Sequence, residues 1–153
     1  MARILRLLPL VLALSLVAAA PSLAHAVAPI NASFFSNVAI EGTDPVAFFT
    51  EGRVVAGRSD ITTTYRGAVW QFATAEHRDM FTQDPERFAP QYGGYCAYGM
   101  TVGQKVPIDP EAWSIVEGKL YLNTSLKVHE LWSVDPASNI ATADSKWPSV
   151  KDR

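Results

Sequence analysis

The chain has 153 residues, with 13 Lys and Arg against 15 Asp and Glu, and a formal net charge of −2. This slightly acidic balance provides no basic surface for a nucleic acid, so we expect no nucleic-acid partner. The single cysteine excludes a disulfide within the chain and a four-thiolate zinc site, and the composition, 48% hydrophobic and 18% charged, is typical of a folded globular chain.

The first 26 residues have the three parts of a secretory signal peptide. Arg3 and Arg6 give a positive start, residues 7–20 are almost entirely apolar, and the triplet 24–26 is an A-x-A cleavage site. The apolar stretch is shorter than the roughly 20 residues that span a bilayer. We therefore expect cleavage after Ala26, a periplasmic or secreted product and no stable membrane insertion afterwards; the alternative is an uncleaved membrane anchor.

The first predicted elements are a helix start and a β-hairpin. Asp44 followed by Pro45 is typical of a helix N-cap with proline in the first turn. Residues 62–65 and 68–72 are rich in β-branched and aromatic side chains and flank the turn at Arg66-Gly67. In the second of these strands, alternate residues face the same side of the sheet.

A helix is predicted to follow this hairpin. Thr74 occupies an N-cap position before Ala75–Gln83, a run of good helix formers. Within it, His77, Met80 and Phe81 share one face because they are spaced at i, i+3 and i+4. A second short helical turn is predicted to begin at the next Asp-Pro pair and to end near residue 88.

The middle of the chain is predicted to be irregular, followed by the clearest hairpin. Residues 90–103 contain four glycines and are predicted to form a structured loop rather than a helix. Asp109-Pro110-Glu111 is predicted to start a turn. Residues 113–116 and 119–122 flank Glu117-Gly118, which indicates a tight two-residue turn between two strands.

Two helices are predicted to complete the chain. Asn123 or Thr124 is the expected cap of a helix that ends at about Ser133, and Asp135-Pro136 is the expected start of the last one. Strand pairs thus alternate with short helices. Residues 27–153 are predicted to form one small α+β domain.

Three segments together resemble a known family. They are Asp44-Pro45-Val46, then Tyr65-x-Gly67-x-x-Trp70-x-Phe72-Ala73-Thr74-x-x-His77-x-x-x-Phe81, then Asp84-Pro85-Glu86-Arg87-Phe88. This pattern is similar to the YHS domain, a small module found alone and attached to metal-transporting ATPases. The resemblance covers residues 44–100, because the stretch Gln91-Tyr92-Gly93-Gly94-Tyr95-Cys96-Ala97-Tyr98-Gly99 resembles a longer, exported branch of the family. In some members of that branch, selenocysteine is reported at the position of Cys96.

The resemblance implies a metal site that this chain retains only in part. The metal-binding members have three cysteines, at positions that match Ala47, Ala73 and His77 of this sequence. Alanine cannot ligate a metal, so only His77 keeps ligand chemistry. The site of the family therefore does not carry over intact.

The remaining soft ligands predict a copper site. Cys, Met and His are the side chains suited to Cu(I). His77 and Met80 share a predicted helix face, and Cys96 and Met100 share the glycine-rich loop. We expect Cys96 as the main ligand and His77 as the second, with Met100 or Met80 as a weak third. The alternative for the methionines and the histidine is ordinary core packing.

The sequence allows two functions other than copper binding. It favours a binding protein over an enzyme. Cys96 is also a candidate redox thiol that forms a sulfenic acid and is regenerated by an external thiol. In the third interpretation the chain is a non-catalytic interaction module in which Cys96 only fills the core. The partners implied are a metal donor in the first case and a thiol in the second; copper is the only cofactor expected.

Overall fold

The computed structural model describes residues 29–153; the predicted signal peptide and its cleavage site lie outside the described residues. The predicted α+β class is confirmed for the described part, which contains six α-helices and two antiparallel hairpins. The elements are α1 (Ala47–Thr50), β1 (Arg58–Tyr65), β2 (Ala68–Phe72), α2 (Ala75–Gln83), α3 (Pro85–Phe88), α4 (Ala97–Thr101), β3 (Asp109–Val116), β4 (Lys119–Asn123), α5 (Leu126–Trp132) and α6 (Pro136–Val150).

Both predicted hairpins are confirmed. β1 pairs with β2 and β3 pairs with β4, each around a two-residue turn in which both residues have positive φ. Such turns match the right-handed twist of the flanking strands. The predicted alternation in β2 is also confirmed, because Ala68, Trp70 and Phe72 are buried while Val69 and Gln71 are only partly covered.

The predicted helix starts are confirmed for α2, for α3, which begins at Pro85, and for α6, and they are shifted for α1 and α5. Thr74 Oγ1 accepts a hydrogen bond from the His77 backbone N–H at 3.1 Å, so α2 begins as predicted. Asp135 likewise caps α6. α1 begins at Ala47, later than the Asp44-Pro45 pair indicated, and α5 is capped by Ser125 rather than by Asn123 or Thr124.

The prediction of an irregular segment at residues 90–103 is wrong in part. The chain makes a 3-10 turn at Gln91–Gly94 and then the helix α4. Gly93 and Gly94 have φ of +62° and +81°, which reverses the chain direction immediately before Cys96. At residues 109–111, where a turn is predicted, the Glu111 backbone N–H donates to Asp109 Oδ1 at 3.0 Å, but β3 also starts there and its register slips before Trp113.

The buried side chains form two clusters, and α4 joins them. The first cluster contains Trp70, Phe72 and Phe81 from the first hairpin and α2, together with Cys96. The second lies between the second hairpin and the last two helices, and it contains Met100. α4 packs against α5, α6, β4 and the 3-10 turn. Cys96 and Met100 are therefore one helical turn apart in sequence but lie in different clusters.

Hydrogen bonds hold the first described residues next to the start of α4. Ile30 is buried, and the Asn31 backbone N–H donates to the Gly93 carbonyl at 2.8 Å. The Asn31 side-chain amide donates to the Gly94 carbonyl at 3.0 Å. No helix within residues 29–153 has the length and apolar composition required to span a membrane.

Candidate functional site

The sulfur of Cys96 lies in a small polar niche at the start of α4. It accepts a hydrogen bond from the Gly99 backbone N–H at 3.3 Å, so Cys96 acts as the N-cap of this helix. The thiol donates towards Asn123 Oδ1 at 3.6 Å. Cys96 is only 1% exposed, and it is the free cysteine of the chain. The sulfur is thus enclosed, yet it has polar partners on two sides.

Asn123, the last residue of β4, is the side chain that the sequence did not connect with Cys96. It is 0% exposed, and its Oδ1 also accepts the Tyr98 backbone N–H at 3.1 Å. Its Nδ2 has no hydrogen-bond partner among residues 29–153. Sequence reasoning assigned Asn123 to a helix cap, and only the packing of β4 against α4 brings it to the sulfur.

His77 belongs to a separate hydrogen-bonded group. Its Nδ1 lies 2.7 Å from Asp44 Oδ2, and since a carboxylate accepts, the imidazole donates there. The other ring nitrogen, Nε2, lies 3.3 Å from Thr50 Oγ1. Asp44 Oδ2 also accepts the Ala73 backbone N–H at 2.8 Å, and Asp44 Oδ1 accepts the Val46 backbone N–H at 2.9 Å.

This group ties three segments of the chain together. Asp44 is 0% exposed. Its carboxylate accepts hydrogen bonds from the backbone just before α1, from the backbone just after β2 and from the His77 side chain on α2. A buried carboxylate is costly unless hydrogen bonds replace the water that it loses, and this one accepts several. Both nitrogens of His77 already have a partner, so the imidazole serves first as a structural link.

The four predicted copper ligands are divided between several groups of contacts. Cys96 and His77 lie in different hydrogen-bonded groups, Met100 is buried in the second cluster, and Met80 packs against the first. Within residues 29–153 no three His, Cys, Asp or Glu side chains are grouped in a way that could hold a metal ion. The copper site stays a prediction, and titration of the native protein and of Cys96→Ser with Cu(I) tests it.

A surface cavity of about 150 Å³ lies away from both groups. It is lined by side chains of the first hairpin turn, α3, the 3-10 turn and α6, and neither Cys96 nor His77 reaches it. Four of its polar side chains are paired: Arg66 with Glu86 at 2.6 Å, and the Tyr92 hydroxyl, as donor, with Asp144 at 2.9 Å. Burial, reinforced by the Asp144 carboxylate, raises the pKa of Tyr92 far above its ordinary value.

Comparison of the chain with models of known families, with curated proteins and with solved structures finds no match. The resemblance to the YHS domain therefore stays a prediction that rests on the quoted motifs. We therefore infer the function from the two polar groups of the structure, one around Cys96 and one around His77.

Proposed function

We propose that this chain is an exported single-thiol redox protein in which hydrogen peroxide oxidises Cys96 to a sulfenic acid. The observation that carries the proposal is the polar niche of the sulfur. A cysteine that only fills space needs no polar partner, whereas this sulfur has an N–H donor on one side and the Asn123 amide on the other.

The reaction cycle needs two external reagents, hydrogen peroxide and a low-molecular-weight thiol. The Cys96 sulfur attacks one peroxide oxygen, an S–O bond forms, the O–O bond breaks, and the leaving hydroxide combines with the thiol proton as water. Sulfur is oxidised by two electrons and peroxide is reduced. Because the chain has no second cysteine, an external low-molecular-weight thiol displaces water from the sulfenic acid, and a second such thiol releases Cys96 from the mixed disulfide.

Access to the sulfur sets the rate of this reaction. At 1% exposure the sulfur does not meet bulk solvent, so a local opening must precede attack. The Gly99 backbone N–H that donates to the sulfur belongs to α4, so we expect this opening to break that hydrogen bond. We therefore expect small oxidants to react faster than bulky thiol reagents.

The test is trapping of the sulfenic acid in the folded protein. Wild type is treated with peroxide in the presence of dimedone, and intact mass is recorded, with Cys96→Ser as the matched control. A dimedone adduct in wild type and none in the variant supports the proposal. Absence of both a dimedone adduct and a gain of about 16 Da in the native fold, while the urea-unfolded chain is labelled, refutes it.

A second candidate function is a non-catalytic module in which Cys96 is structural. The observation in its favour is the enclosure of the sulfur within the first cluster, since buried cysteines are usually inert. This interpretation predicts that Cys96→Ser keeps both the fold and the cellular phenotype. Loss of the phenotype with the fold intact excludes it.

A further inference from the structure

The amide nitrogen of Asn123 is a buried donor without an acceptor. Asn123 is fully buried, and within the described part of the chain its Nδ2 has no hydrogen-bond partner. Buried donors in folded proteins almost always have one, so each exception points to strain or to a function. This exception adjoins the only cysteine sulfur of the chain.

The orientation of the amide is fixed by its neighbours. The Tyr98 backbone N–H points at Oδ1 from 3.1 Å, and a backbone N–H can only donate. Rotating the amide by half a turn would place two donors against each other. Oδ1 therefore stays on Tyr98 and on the thiol, and Nδ2 keeps its N–H groups for something else.

We propose that Nδ2 is the donor for an oxygen atom attached to the sulfur of Cys96. This inference rests on the proposed redox function and names the residue that stabilises its oxidised state. In the reduced state the S–H donates to Oδ1. After peroxide has transferred one oxygen, the sulfur no longer carries a hydrogen to donate, and its new oxygen is an acceptor, most strongly as the sulfenate anion.

One amide can serve both states because its two heteroatoms are bonded to the same carbon. The new oxygen is attached to the sulfur that already contacts this amide through Oδ1. A hydrogen bond from Nδ2 then replaces the lost contact to Oδ1, while Tyr98 keeps its own. The consequence is a longer-lived sulfenic acid, because electron density held by a donor is less available for attack on a second peroxide molecule.

The first experiment compares the lifetime of the sulfenic acid in two variants. Asn123→Asp keeps the oxygen that Tyr98 needs and replaces the donor. Asn139→Asp is the matched control, since Asn139 Nδ2 donates to the Trp132 carbonyl, away from the sulfur. After a peroxide pulse, dimedone is added at increasing delays. We expect the trappable fraction to decay about tenfold faster in Asn123→Asp than in wild type or in the control.

The outcomes separate the two proposals. If wild type shows neither a dimedone adduct nor a gain of about 16 Da, the redox function itself is refuted. Trapping with equal decay in wild type and Asn123→Asp leaves the redox function standing and overturns the role of Asn123. Faster decay only in Asn123→Asp supports it.

A second measurement needs no variant and covers the case in which Asn123→Asp does not fold. In uniformly nitrogen-15-labelled wild type, the side-chain amide protons of Asn123 are followed by NMR during oxidation. We expect a downfield shift of one of them as the sulfenic acid forms, with the Asn139 side-chain signals unchanged. An Asn123 signal that stays in place while mass spectrometry records oxidation, a gain of about 16 Da, overturns the inference.

Discussion

Asp44→Asn is the substitution for which the structure gives the largest expected loss of stability at nearly constant volume. The carboxylate is fully buried and accepts from Val46 N–H, Ala73 N–H and His77 Nδ1. An asparagine must present an NH₂ group in place of one oxygen. In either orientation that group meets at least one backbone N–H, so a donor faces a donor.

The magnitude follows from the contacts that are lost. A hydrogen bond to a charged group contributes about 1.5–3 kcal/mol, and a buried donor left without an acceptor costs about 1–3 kcal/mol. These terms overlap for one carboxylate and are not additive. We therefore expect the free energy of unfolding of Asp44→Asn to fall by about 3–5 kcal/mol.

The assay is urea unfolding followed by circular dichroism, with the midpoint and slope compared across variants. Asp60→Asn is the matched control, because Asp60 pairs with Arg58 while both side chains are largely exposed. Its effect should stay below about 0.5 kcal/mol. A loss of less than about 1 kcal/mol in Asp44→Asn would refute the reasoning, since the buried carboxylate would then be dispensable.

Three further predictions test other parts of the structure. Cys96→Ala should lower the free energy of unfolding by about 1 kcal/mol more than Cys96→Ser in urea titrations, because a hydroxyl still caps the Gly99 N–H; equal losses would contradict the capping role. Burial raises the pKa of Tyr92, so its contribution to stability is complete below the unfolded value of about 10 and is lost as pH rises above it, by about 1.4 kcal/mol per pH unit. Tyr92→Phe should flatten the alkaline decline of the unfolding midpoint, and an unchanged slope would count against the buried hydroxyl. Gly93→Ala should lower the free energy of unfolding by at least about 2 kcal/mol in the same assay, because its Cβ would overlap the Pro29 carbonyl oxygen and its φ is +62°; a neutral effect would contradict this close approach.

The predictions that succeeded rest on signals within a few residues. The turn at Glu117-Gly118 and the Thr74 cap depend on residues that are neighbours in the chain, so sequence pattern is enough to find them. The segment around Gly99 was predicted to be a loop because glycine disfavours helices. Packing against four other elements outweighs this local preference and makes the segment helical.

The candidate site could be predicted only in part. Cys96 and His77 were found because few side chains have their chemistry. Their partners were not, since Asn123 is 27 residues from Cys96 and Asp44 is 33 residues from His77. Such pairs depend on how the elements pack. The sequence also favoured Asn123 or Thr124 as a helix cap, a role that Ser125 takes instead.

The helix α4 lies between the two buried clusters and contacts both. Cys96, at the start of this short helix, packs in the first cluster, and Met100, near its end, packs in the second. If peroxide oxidises Cys96 as proposed, the added oxygen enlarges the side chain at the end of α4 that packs in the first cluster, where a close-packed core has little free space for it. We therefore expect a displacement of α4 that is also measurable at Met100 and at the contacts of α4 with α5 and α6.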